Sequence, residues 1–178
     1  MSSNSTYIGI AFYTREGYPV QWAIVLSTHK RFDNSAWCGT IIETVEGWVE
    51  NWKHCDKSPA TFEPYLTLLG VIAVENVGWS LGDVYQSISS LKWKSQNPHG
   101  VAGDKYPPSD DYVCQVLLHL FNKNIITLPR NVKNNLHVHV KERLAKFQLK
   151  RPSTFNQYPV VPLIEDVDEA FVFGRTKY

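Results

Sequence analysis

Residues 7–13, Tyr-Ile-Gly-Ile-Ala-Phe-Tyr, and 20–26, Val-Gln-Trp-Ala-Ile-Val-Leu, are two β-rich runs separated by the turn-forming Arg-Glu-Gly-Tyr-Pro. Apolar runs of this length around a Gly and a Pro predict an antiparallel hairpin. An isolated hairpin is marginal in water, so the rest of the chain has to cover it. Two further strands are predicted at 38–45 and 47–53, and the run from Tyr65 to Val74 predicts one long strand or two short ones.

The pattern then changes from strand to helix. Ser80 can cap a helix whose apolar residues Val84, Ile88 and Leu91 recur at helical spacing and which should end near Trp93. Residues 94–108 contain Pro98, His99, Gly100, Gly103, Pro107 and Pro108, a loop composition. Ser109 or Asp110 can cap a second helix with the stripe Val113, Val116, Leu117 and Leu120. A third is predicted over about 130–147, beginning near Pro129. Strands first and helices after them predict an α+β fold, an antiparallel sheet packed against two or three helices. The expected organisation is a disordered 1–6, one domain over 7–150, and an extended 151–178 in which a final strand can return.

A chain of 178 residues suits one core and is short for two. Eighteen basic residues against seventeen acidic ones leave a formal charge of +1, which supplies no overall field for nucleic acid. Eight basic side chains between Lys123 and Arg151 face one acid, Glu142, and four acids fall within 165–169. No nucleic-acid motif accompanies them, so nucleic acid is not an expected partner. No run approaches 18 apolar residues and the start lacks a secretory pattern; the expectation is a cytoplasmic protein without a membrane span. Cys38, Cys55 and Cys114 are too few for a disulfide scaffold and are expected as free thiols. His54-Cys55 with Cys38 lacks the partners of a specific ligand set, so neither metal nor other cofactor is expected.

Cys114 is the principal candidate for chemistry, because a thiol near a helix N-terminus meets N–H groups that favour the thiolate. Gln115 can offer an amide to a developing oxyanion. Asp110 and Asp111 act against a thiolate, and a core thiol is the plainer alternative. A nucleophilic cysteine also needs a base. His119 lies five positions on and points around the helix. His137 and His139 fall on different faces of a helix, which argues against a shared ligand. His29 and His99, in predicted loops, remain able to approach.

The strand carrying Trp22-Ala23, the later strand with Leu69-Gly70-Val71-Ile72, the short helix 81–91 and the helix with Cys114-Gln115 together resemble the circularly permuted papain-like proteins. These are related to the NlpC/P60 and lecithin:retinol acyltransferase group, and the chain looks most similar to small fungal members. The resemblance spans about 7–145. It implies a permuted papain-like fold, Cys114 in the nucleophile position and Gln115 after it. It also puts Gln21 where the family carries its catalytic histidine, and a glutamine cannot serve as general base.

The resulting expectation is a degenerate papain-like protein whose cleft around Gln21 and Cys114 binds a small molecule or peptide, with a non-hydrolytic role. Gln21, Trp22, Trp79 and Tyr112 would contact the ligand. The first alternative is an active cysteine hydrolase or acyltransferase using Cys114 with His29 or His99; the second is a non-enzymatic interaction protein, with a homodimer as one form.

Overall fold

The structure, a computed structural model, describes residues 5–13, 20–28, 38–47, 51–61, 68–92, 109–149 and 160–164. The strands are β1 (Thr6–Tyr13), β2 (Gln21–Ser27), β3 (Cys38–Gly47), β4 (Asn51–Thr61), β5 (Leu68–Val77) and β6 (Val160–Pro162). Between β5 and β6 run α1 (Leu81–Ser89), α2 (Ser109–Asn122), α3 (Arg130–Asn134) and α4 (Leu136–Leu149). All six strands form one sheet in the order β4-β3-β2-β1-β5-β6.

The predicted hairpin is the centre of this sheet. β1 pairs antiparallel with β2 from Tyr7 opposite Ser27 to Tyr13 opposite Gln21, and its other edge pairs with β5. Ile10 faces Ile24 on one side and Ile72 on the other, and Ile24 faces Ile42, giving a row of four isoleucines across β5, β1, β2 and β3. All four are fully buried. At about 1.5–3 kcal/mol for each buried side chain, this row is a principal source of stability.

The same alternation places Ile8, Phe12, Trp22 and Leu26 on the face that packs against Val84 and Ile88 of α1, Val113 and Leu117 of α2, and Val140 of α4. The opposite face is closed too, since Ala11, Ala23, Val25 and Val71 are without exposure. Its residues are small where strands crowd. A Cβ on Gly9 would lie 3.0 Å from Val25 Cγ2, 3.1 Å from Val71 Cγ1 and 3.2 Å from the Ile72 carbonyl oxygen.

Several local expectations change. Ser80 caps α1 as read, its hydroxyl accepting from the Asp83 N–H at 3.2 Å and donating to the Asp83 carboxylate at 2.6 Å. The helix stops at Ser89, before Trp93, where Ser90 and Leu91 turn back onto preceding carbonyls. Ser109 is the first helical residue of α2. Its hydroxyl accepts the Trp22 N–H at 3.1 Å, just beyond Ala23–Glu43, the last pair of the β2–β3 ladder.

Asn124 ends α2 in the left-handed region at φ 55°. Its N–H reaches the Phe121 carbonyl and the Ile125 N–H reaches that of Leu120, a Schellman closure in which Leu120 and Ile125 both join the core. The single helix predicted over 130–147 is two, broken at Asn135, whose carbonyl restarts the ladder by accepting from His139 N–H at 2.9 Å. Consecutive asparagines at 134 and 135 are poor helix formers, and the apolar periodicity conceals the break.

The sheet is mixed, not wholly antiparallel. β6 pairs parallel to β5, with Ile72 opposite Val161. A parallel neighbour needs a crossover, and the helices supply it. Thus the segment after 150, expected to be extended with a final strand that can return, adds β6 to the same sheet, and among the described residues four helices stand where two or three were expected. Residues 1–4 and 165–178 lie outside the described residues.

Candidate functional site

The start of α2 is fastened to the start of β2 by the Trp22–Ser109 bond, and polar side chains from α2 and α4 meet beside this junction. Asp110 follows Ser109, and its Oδ2 lies 2.7 Å from His137 Nε2 in the first turn of α4. The imidazole stacks on the Trp22 ring with centroids 5.7 Å apart and planes 22° apart. Phe12 meets the same indole edge-on at 5.2 Å. Trp22 is buried, whereas the side chains of His137 and Asp110 are 42% and 33% exposed.

Cys114 stands one turn after Asp110 on α2 and is buried in the core. Burial foremost, then the negative charges of Asp110 and Asp111, push its thiol up from 9.0 to about 12, with Lys141 opposing weakly. At about 1.4 kcal/mol per pH unit, that disfavours the thiolate by about 4 kcal/mol. A helix start returns at most about 2 kcal/mol, and only within its first turn. Cys114 is the sixth residue of α2 and lies beyond that reach. The thiolate stabilisation anticipated from its position near a helix start is therefore reversed.

Gln115 does not turn its amide towards the thiol. Its Nε2 donates to Asp111 Oδ2 at 2.9 Å, a bond along the helix one turn back. Gln21 is buried at the first position of β2, and strand alternation places it on the opposite face from Trp22, away from the helices. Tyr112 is buried in the core, and burial and then repulsion from Tyr85 push its hydroxyl pKa up, while Asp110 reaches α4 through His137.

Trp79 is 45% exposed, and its carbonyl accepts from Thr6 Oγ1 at 2.8 Å. Thr6 is at the opposite end of β1 from Tyr13, the partner of Gln21. Seven residues of strand separate these ends by about 23 Å. The four expected ligand contacts, Gln21, Trp22, Trp79 and Tyr112, therefore do not surround one cleft; only Trp22 stays with the polar group. His29 and His99 lie outside the described residues.

The remaining helical histidines have structural partners. His119 Nε2 lies 3.0 Å from the Ser87 carbonyl oxygen and so links α2 to α1. His139 Nε2 reaches the Leu163 carbonyl at 2.7 Å and links α4 to the chain after β6. His137 and His139 thus turn to different partners, Asp110 and the Leu163 carbonyl. Among the described residues, no three His, Cys, Asp or Glu side chains are grouped to hold a metal ion. No described helix is long and apolar enough to cross a membrane.

The sequence presents His137 only beside His139, as a pair on different helix faces, and not as a partner of Asp110. Asp110 and His137 are 27 residues apart, and nothing in their spacing pairs them. The one available signal was a polar residue early on each of two adjoining amphipathic helices.

No family model, curated protein or solved structure matches the chain.

Proposed function

We propose that this chain is a non-nucleophilic binding protein on a permuted papain-like plan, taking a small molecule or peptide end where β2, α2 and α4 meet. The observation that carries this reading is the Asp110–His137 pair stacked on Trp22, beside a thiol that burial and acids hold protonated. The plan is supported by the direct Trp22–Ser109 link between the strand and the helix bearing the two motifs. The departure at position 21 agrees with a lost thiol reaction: the polar group lies with α4 instead, on a ring half open to solvent.

The interaction-protein alternative has less behind it. Among the described residues the exposed large apolar side chains are Trp79 and Val138, and single exposed apolar residues are ordinary on a soluble surface.

Fragment screening by NMR tests the reading. Bound fragments and short peptides should shift the Trp22 indole and His137 ring signals equally in the natural chain and in Cys114→Ala. Binding that moves only Trp79, or that disappears with Cys114→Ala while the fold persists, overturns it.

A further inference from the structure

We infer that His137 is a general base, acting through Nδ1 on neutral, planar molecules that carry an acidic proton. This rests on the binding site proposed above and assigns it a reaction. Two contacts hold the ring and leave one nitrogen without a described partner. Nε2 is held by the Asp110 carboxylate at 2.7 Å, one face lies against Trp22, and Nδ1 has no protein partner among the described residues.

The contact to Asp110 fixes the tautomer. A carboxylate accepts, so Nε2 carries the hydrogen and Nδ1 presents its lone pair. When Nδ1 takes a proton, Asp110 stabilises the imidazolium through the same short bond, the orienting role that makes an imidazole an effective base. The Trp22 ring is buried and packed edge-on by Phe12, and the Trp22 backbone N–H is tied to Ser109 at the start of α2, so the surface behind the imidazole is fixed by packing. A group held this way needs little reorganisation to accept a proton.

Charge and shape select the ligand class. The Asp110 carboxylate beside the ring favours a neutral molecule over an anion. The imidazole, 42% exposed and stacked on Trp22, offers a flat surface to a planar one. Cys114 takes no part.

The probe is 5-nitrobenzisoxazole, which is neutral and planar and reports proton abstraction alone. Nδ1 takes the proton from C3, the C–H electron pair becomes the third bond of the nitrile, and the N–O bond breaks to release 2-cyano-4-nitrophenolate. No cofactor or oxidant is needed, and the proton on His137 returns to solvent.

The natural chain should outpace the same concentration of 4-methylimidazole. His137→Gln should remove that excess, Asp110→Asn should lower it roughly tenfold, and Cys114→Ala should leave it unchanged. Circular dichroism checks that each variant folds, and Asp110→Asn decides the matter should His137→Gln not fold. A natural chain no faster than 4-methylimidazole, or an Asp110→Asn variant as fast as the natural chain, overturns the inference. A rate lost in folded Cys114→Ala overturns instead the non-nucleophilic reading on which it rests.

Discussion

Asp110 joins His137 at 2.7 Å across the seam between α2 and α4, one helical turn before Cys114 on the same helix. One carboxylate therefore orients an imidazole and opposes ionisation of a thiol. Substituting it should weaken both effects. In Asp110→Asn the Cys114 thiol pKa should fall from about 12 yet stay above 9.0, because burial, the larger cause, is untouched. The loss of stability should be under about 1 kcal/mol, since both partners are partly exposed to screening solvent. Thiol titration and urea unfolding of the variant check both numbers.

The isoleucine row should behave as one packed layer. Ile24, fully buried between Ile10 and Ile42, should cost about 2–5 kcal/mol as Ile24→Ala and about 1 kcal/mol as Ile24→Val. Urea unfolding of the two variants gives the comparison; equal losses would mean that the site collapses around the missing atoms.

Gly9 is fixed by crowding. A methyl there meets Val25 and Val71 side chains, which can shift, and the Ile72 carbonyl, which belongs to the paired strand and cannot easily do so. Gly9→Ala should destabilise the protein by about 1–3 kcal/mol by overpacking, read as a lower urea midpoint. An unchanged midpoint would contradict so close an approach of the strands.

Glu75 gives a pH dependence of defined sign. Its Oε2 accepts the Thr127 N–H at 2.6 Å, but burial outweighs that bond and raises the carboxyl pKa above 4.5. The folded chain then binds this proton more readily than the unfolded chain. The group's contribution is fully present below 4.5 and is lost as pH rises through the folded value. Glu75→Gln should therefore gain on the natural chain from pH 4 to pH 7, measured as the difference in urea midpoint. A difference that shrinks over that range contradicts the assignment.

Much of the sheet is legible in sequence because its signals are local. The hairpin of β1 and β2, the Ser80 cap and the apolar stripe of α2 each depend on neighbouring residues. The break at Asn135 is hidden because Val132, Leu136 and Val140 keep helical spacing across it. β6 is hidden because three residues ending in Pro162 read as connector, and only pairing with Val71, Ile72 and Ala73 makes them a strand. The candidate site was the least legible part. Cys114 drew attention as a residue type, but its burial depends on β2 and α4, and the meeting of Asp110 with His137 is purely tertiary.

The pH dependence of Cys114 alkylation, resolved by mass spectrometry with Cys114→Ala as control, tests the central claim most directly. The account predicts slow labelling through neutral pH, with an apparent pKa well above that of an ordinary thiol. Rapid labelling with an apparent pKa near or below 7 would contradict it and restore Cys114 as a nucleophile.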